Sequence, residues 1–209
     1  MSLRMVCFDL GGVVIRICRT FDEAVLNAGL PQLPPPDDSE LLHARIALAA
    51  QHQLGAINGH EFRERVSDLS CGAYTGDDIG RIHAAVLLGE YDGIADTIRA
   101  IRHAGLRTAC LSNTNDDHWA ALLAMPALQA LDARHASHLW GLAKPDVAIY
   151  RRFERELGVS GSEILFFDDL LENVATARGI GWDAVLIDHA ENTAQQVRAA
   201  LTARGVQLR

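Results

Sequence analysis

Apolar runs that end in polar or turn residues recur along the chain and predict the strands of a buried sheet. In the first, Val6–Phe8 is followed directly by Asp9 and by the Gly11–Gly12 pair. Short apolar runs bounded by turn residues are typical of buried strands. Further runs predict strands at 106–111, 133–139, 163–167 and 184–187.

The segments between the later strands have helical patterns, at about 94–103, 116–124, 146–157, 171–178 and 193–203. Strands that alternate with helices form a parallel sheet with helices on both faces. We therefore predict an α/β core, a Rossmann-like parallel sheet covered on both faces, built from residues 1–15 and 89–209.

Residues 16–88 differ from the rest because they contain helical patterns and no convincing strand. Thr75 and Asp78 have the spacing of a capping box, which starts helices. The prolines at 34–36 predict an extended, polyproline-like stretch. We expect a small helical cap domain inserted after the first strand, with helices at about 16–27, 40–54, 59–69 and 77–88.

Composition narrows the class of protein. A chain of 209 residues suits one domain, or one domain with a modest insertion. A net charge of -8 argues against a nucleic-acid partner, and no apolar run approaches the ~20 residues of a membrane span. The four cysteines form no C-x-x-C pair, so we expect reduced thiols in a cytoplasmic protein. The oligomeric state is left open.

Lys144 is the single lysine among 19 basic residues, the others being arginine. Lysine carries a compact, movable ammonium, whereas arginine carries a planar fork. In a chain that uses arginine almost everywhere, a lone lysine indicates a position that arginine does not fit.

Polar residues follow three of the predicted strands: Asp9, the Ser112–Asn113 pair and the Asp168–Asp169 pair. The carboxyl ends of parallel strands lie at one edge of the sheet, where ligands bind. Three carboxylates at that edge would repel one another, and oxygen ligands of this kind suit Mg²⁺. With Lys144 nearby, the charges balance and the site can still accept a phosphate.

Four segments together resemble the ordered motifs of the haloacid dehalogenase-like hydrolases, in particular the bacterial alpha-D-glucose-1-phosphate phosphatases. The resemblance extends over about residues 4–190, and it implies a Mg²⁺-dependent phosphatase that acts on a small phosphorylated metabolite, such as a sugar phosphate. The segments are Phe8–Val13, Leu111–Asn115, Ala143–Asp146 and Phe166–Asp169.

The resemblance implies the catalytic and phosphate-binding roles. Asp9 would be the nucleophile and form an aspartyl-phosphate. Ser112 and Asn113 would hold the phosphoryl oxygens. Lys144 would bridge the nucleophile and the phosphate and stabilise the charge at the transferring group.

The resemblance also implies the metal ligands. Asp9 would bind Mg²⁺ through its second oxygen, Gly11 through its backbone carbonyl, and Asp169 through its carboxylate. Asp168 would be a neighbouring carboxylate of the same site. The family often has another aspartate where this chain has Asn173, which can serve only as a neutral partner.

One departure from the family pattern leaves the activity open. Most phosphatases of this superfamily have a general-acid aspartate two positions after the nucleophile, where this chain has Gly11. General acid–base catalysis is worth about 10²–10⁴-fold. A 2-haloacid dehalogenase-type hydrolase, whose halide leaving group needs no proton, is one alternative. A weakly active or non-catalytic phosphometabolite-binding protein is another.

The histidines of the cap segment carry no prediction of a role. We expect His43, His52 and His60 to lie on cap helices and to be solvated, and one of them could contact substrate.

Overall fold

The computed structural model describes residues 3–33 and 39–208, so the proline-rich stretch at 34–36 lies outside the described residues. Strands and helices alternate over most of its length. The strands are β1 (Met5–Phe8), β2 (Ile15–Ile17), β3 (Leu87–Glu90), β4 (Arg107–Ser112), β5 (Ala133–Ala136), β6 (Ile164–Asp168) and β7 (Asp183–Leu186).

The helices fall into two groups, one before β3 and one after it. The first group is α1 (Phe21–Asn27), α2 (Ser39–Gln53), α3 (Gly59–Leu69) and α4 (Gly76–Ala84). The second group is α5 (Ile94–His103), α6 (Asp116–Leu123), α7 (Pro126–Ala130), α8 (Ser137–Trp140), α9 (Val147–Leu157), α10 (Leu171–Gly179) and α11 (Thr193–Thr202), with a 3₁₀ turn at Gly161–Glu163 before β6.

Five strands form a parallel sheet in the order β5-β4-β1-β6-β7, which confirms the predicted α/β class. β1 lies in the middle, with Phe8 beside Cys110 of β4 and Phe167 of β6. This register places Asp9, the next residue of the chain, level with Asp168. The shared direction of the strands is therefore what brings the two acids together.

The sheet has a hydrophobic layer on each face, because successive side chains of a strand point to opposite sides. Val6 and Phe8 pack with the apolar residues of α5 and α11. Met5 and Cys7 pack on the other face, with Tyr150 of α9 and its neighbours. The central strands β1, β4 and β6 are buried on both sides, which explains why they read as apolar runs.

The prediction that residues 16–88 contain no strand is wrong. β2 and β3 pair antiparallel, with Ile15 opposite Glu90 and Ile17 opposite Leu87. The predicted helix over 16–27 starts later, at Phe21, because the Thr20 side chain accepts a hydrogen bond from the Glu23 N–H and caps the helix there. The two strands were missed because a pair this short carries little periodicity.

Helices α1 to α4 lie between the strands of this ribbon and have an apolar cluster of their own. Val25, Leu48, Phe62 and Ile79 are among its buried members. The Thr75–Asp78 capping box is present at the start of α4. We call α1 to α4 the inserted helices; the domain boundaries at 15/16 and 88/89 remain a prediction, and they fall inside the ribbon.

Candidate active site

Asp9 lies at the carboxyl end of the central strand and is 8% exposed. Its backbone N–H donates to the Phe167 carbonyl over 2.8 Å, which continues the sheet pairing by one residue. Burial raises the pKa of the Asp9 carboxyl from 3.8 to about 6, against the attraction of Lys144. The site therefore favours a cation close to this side chain.

Lys144 is buried between two carboxylates. Its Nζ lies 2.9 Å from Asp9 Oδ1 and 2.6 Å from Asp168 Oδ2. Burial disfavours the charged ammonium, but the two carboxylates outweigh it and hold the pKa of Lys144 above its usual range. The only lysine of the chain is thus an ammonium enclosed within the site.

The Asn113 side chain holds the backbone of Lys144 at both polar groups. Asn113 Nδ2 donates to the Lys144 carbonyl, and the Lys144 N–H donates to Asn113 Oδ1, each over 2.8 Å. One N–H and the oxygen of the carboxamide are committed in this way, which leaves the second Nδ2 N–H and the backbone N–H of Asn113 as the donors that can meet a phosphoryl oxygen. Ser112, at the end of β4, is 3% exposed and lies at the same edge of the sheet.

Asp168 accepts four hydrogen bonds. Asn173 Nδ2 donates to both of its oxygens at 3.0 Å, the Leu170 N–H donates to Oδ1 at 2.9 Å, and Lys144 donates to Oδ2. An ionised carboxylate offers about four acceptor positions. Asp168 is therefore occupied by protein groups, and Asn173 is the neutral partner that the sequence suggested.

Asp169 pairs with an arginine that sequence reasoning missed. Arg19 Nη1 lies 2.6 Å from Asp169 Oδ2, and the side chain of Asp169 is 3% exposed. No motif marks Arg19, one of many arginines in the chain, as a site residue. Its proximity to Asp169 depends on how the ribbon leaves the sheet.

The three acids form a site that fits a dication. Three carboxylate oxygens lie within 4.8 Å of one another, one from each of Asp9, Asp168 and Asp169. The donors are all oxygen, so the set suits Mg²⁺. The structure thus brings the predicted residues of three strand ends and Lys144 to one edge of the sheet.

A cavity of about 240 Å³ lies next to this edge, between the inserted helices and the sheet. Gly11, Ser112 and Asn113 line its floor, and Phe62 lines it from the side of the inserted helices. A Cβ atom added to Gly11 would lie 2.9 Å from Ile17 Cδ1. Ile17 of the ribbon therefore occupies space that an aspartate at position 11 would need.

Three histidines that also line this cavity correct the sequence interpretation. His52 is 1% exposed, so the expectation that it is solvated is wrong; its Nε2 lies 2.9 Å from Asp116 Oδ1. His83 and His118, which sequence reasoning missed, are stacked with ring centroids 4.0 Å apart. His83 comes from the inserted helices and His118 from α6, so no local pattern could relate them.

The family profile of the haloacid dehalogenase-like hydrolases matches residues 3–181. The chain belongs to this family of hydrolases. A phosphatase of Mycobacterium tuberculosis is 32% identical over 140 residues, which cover 66% of this chain and 64% of that protein. The (S)-2-haloacid dehalogenase 4A of Burkholderia cepacia is 31% identical over 106 residues, 50% of this chain and 46% of the relative. Both alignments cover less than two thirds of the relative.

Solved structures share the architecture. A haloacid dehalogenase family enzyme of Bacteroides thetaiotaomicron superposes with a TM-score of 0.81 at 20% identity, over 95% of this chain and all of that one. The same protein in complex with magnesium and inorganic phosphate gives a TM-score of 0.77 over 94% of this chain. At this identity the likeness shows the fold.

In the described part of the chain, no helix is both long enough and apolar enough to span a bilayer.

Proposed function

We propose that this hydrolase is a Mg²⁺-dependent phosphatase that acts on a small phosphorylated metabolite, with a sugar phosphate as the expected class. The observation that carries the proposal is the enclosed Lys144 ammonium, 2.9 Å from Asp9 and 2.6 Å from Asp168. A cation held there offsets charge on a nucleophilic carboxylate and on a phosphoryl group that approaches it.

In this proposal Asp9 attacks phosphorus and forms an aspartyl-phosphate, which water then hydrolyses. Lys144, the Ser112 hydroxyl and the Asn113 backbone N–H bind the phosphoryl oxygens. These groups act on a substrate that is held at the end of the central strand, where water is largely excluded. The buried setting strengthens each of these electrostatic contacts.

The metal would be held by Asp9, the Gly11 carbonyl and Asp169. When bound, Mg²⁺ neutralises phosphoryl charge and orients the group for in-line attack. The four hydrogen bonds of Asp168 favour a neighbouring role for that carboxylate, which fixes Lys144 in place. The inserted helices would act as the cap that covers the site and excludes water.

Dehalogenase relatives make a halide-displacing enzyme the second candidate, and the nucleophile would again be Asp9. Such chemistry needs no dication, so the acids at 168 and 169 would need another counter-charge. Arg19 supplies one for Asp169 and Lys144 one for Asp168. Both acids therefore have a counter-charge among the protein's own side chains.

The decisive assay uses the purified chain with p-nitrophenyl phosphate and with 2-chloropropionate, each with MgCl₂ or with EDTA. We expect phosphate release that requires Mg²⁺ and no chloride release. Asp9→Asn should lower phosphate release by at least about 10³-fold, because an amide is a far poorer nucleophile. Chloride release that is insensitive to EDTA would establish the dehalogenase instead. Binding without turnover of either compound would establish a non-catalytic protein.

A further inference from the structure

The cavity next to the carboxyl ends of the strands has, among the described residues, no Asp, Glu, Lys or Arg side chain in its lining. Of the charged groups next to its histidines, Asp116 pairs with His52, 2.9 Å from Nε2, and Arg63 and Asp117 pair with each other at 3.2 Å. Its volume of about 240 Å³ is below the ~300–1,000 Å³ of sites for drug-sized ligands. A ligand held here must be small and has no counter-ion to meet.

The stacked rings of His83 and His118 have their protons fixed by carbonyl oxygens. The Asn115 side-chain atom that accepts a hydrogen bond from the His118 backbone N–H must be the amide oxygen, Oδ1. This oxygen lies 3.2 Å from His83 Nε2. His118 Nε2 lies 2.8 Å from the His83 carbonyl. Both Nε2 atoms must therefore donate. Each ring is left with Nδ1 as a lone-pair acceptor, because a neutral imidazole carries one proton.

Both Nδ1 atoms belong to side chains of residues that line the cavity. Among the described residues neither has a hydrogen-bond partner, and neither belongs to the polar atoms sealed inside the protein. Burial lowers the pKa of His83 to about 3 and lowers the pKa of His118 as well. Both rings are thus neutral acceptors at neutral pH, and an acceptor calls for a hydroxyl or N–H donor on the ligand.

We propose that this cavity selects phosphomonoesters whose leaving group is small, uncharged and hydroxyl-bearing, with Nδ1 of His83 and of His118 accepting hydrogen bonds from its hydroxyl groups. This rests on the proposed phosphatase function. A carboxylate, a second phosphate or an ammonium on the leaving group would lose its hydration in the cavity without gaining a charged partner, which is costly. A leaving group without hydroxyls would leave the two acceptors unpaired.

The test on the wild-type protein compares four phosphomonoesters of similar size in the presence of Mg²⁺: glycerol 3-phosphate, propyl phosphate, 3-phosphoglycerate and phosphoethanolamine. We expect kcat/KM for glycerol 3-phosphate to exceed that for propyl phosphate by about 3- to 10-fold. We expect it to exceed the values for the two charged compounds by about 10-fold or more. Equal or better turnover of 3-phosphoglycerate or phosphoethanolamine would overturn the proposal.

Variants assign the preference to the histidines. His83→Phe and His118→Phe keep a flat ring in the stack and remove the acceptor. Each should lower the ratio of kcat/KM for glycerol 3-phosphate over propyl phosphate by about 3- to 10-fold. His60, an exposed residue of α3, gives the matched control, and His60→Phe should leave the ratio unchanged. An unchanged ratio in both folded variants would overturn the role of the histidines.

A third variant is predicted to gain activity towards a charged substrate, a result that misfolding cannot produce. Gln53 lines the cavity, and Gln53→Lys would bring a cation into it. The ratio of kcat/KM for 3-phosphoglycerate over glycerol 3-phosphate should then rise by about 10-fold or more; a ratio that stays at the wild-type value counts against the uncharged cavity. Absence of turnover for all four esters and for p-nitrophenyl phosphate would instead remove the phosphatase function, and this inference with it.

Discussion

Arg19 and Asp169 form an ion pair across 150 positions of the chain, with 2.6 Å between Arg19 Nη1 and Asp169 Oδ2. Arg19 follows the ribbon strand β2, and Asp169 follows β6. Gly12 has a positive φ of 77°, and a Cβ atom there would clash with both groups, so glycine lets them meet beside the site. The guanidinium therefore occupies an oxygen of a carboxylate that we propose as a metal ligand.

Replacing Arg19 should change the affinity for the metal. In Arg19→Gln the Asp169 carboxylate loses a competing cation, so the Kd for Mg²⁺ should fall by about 5-fold, as for a partly exposed ion pair. Isothermal titration with MgCl₂ measures this without turnover. Arg16→Gln, at an exposed position of β2, controls for the general loss of positive charge. Weaker Mg²⁺ binding in Arg19→Gln would show instead that the arginine positions Asp169 for the metal.

Lys144 should be needed for stability as well as for turnover. Lys144→Met leaves Asp9 and Asp168 buried together without their cation, and breaking a buried ion pair costs about 3–5 kcal/mol. Urea unfolding near pH 7.5 in EDTA would report this loss. In the double variant Lys144→Met with Asp168→Asn, one of the two charges is absent and part of the stability should return. A Lys144→Met protein as stable as the wild type would contradict the enclosed ion pair.

His83 should make the protein less stable in acid. Burial and the neighbouring His118 hold the pKa of His83 at about 3, against 6.5 for an unperturbed imidazole. Between these values the unfolded chain binds a proton that the folded chain does not. His83 therefore contributes fully to the free energy of unfolding above pH 6.5. This contribution is lost as the pH falls below 6.5, by at most about 1.4 kcal/mol per pH unit.

The contribution of Asp9 to stability changes with pH in the opposite direction. Its pKa is raised from 3.8 to about 6, so between these values the folded chain binds more protons than the unfolded one. The His83→Phe variant leaves this contribution in place. Its stability should therefore decline less steeply between pH 6.5 and pH 4 than that of the wild type, measured by urea unfolding at each pH. His60→Phe should follow the wild-type curve, and parallel curves for His83→Phe and wild type would contradict the prediction.

The glycine at position 11 should make the rate depend on the leaving group. Without an aspartate there, log(kcat/KM) for a series of aryl phosphates should fall as the pKa of the leaving phenol rises. A double variant, Gly11→Asp with Ile17→Ala, restores a carboxyl and removes the side chain that a Cβ at position 11 would meet at 2.9 Å. Its slope should be shallower, since general acid catalysis is worth about 10²–10⁴-fold. A flat wild-type series would refute the prediction.

Strand positions could be predicted because strands buried on both faces are continuous apolar runs. The five strands of the sheet follow those runs to within a few residues. The ribbon of β2 and β3 was missed because its residues are only partly buried and its strands are three and four residues long. Their pairing joins positions 70 to 75 residues apart, which no local pattern reports.

The amino-acid sequence by itself determined that Asp9, Asp168 and Asp169 converge, because parallel strands bring their carboxyl ends to one edge. It also singled out Lys144 by composition. The tertiary structure decided which groups these side chains meet: Arg19 on Asp169, the Asn113 carboxamide on the Lys144 backbone, and an imidazole pair beside an uncharged cavity. Such contacts join residues from separate elements whose relative placement is set by packing, and packing leaves no periodic trace in the chain.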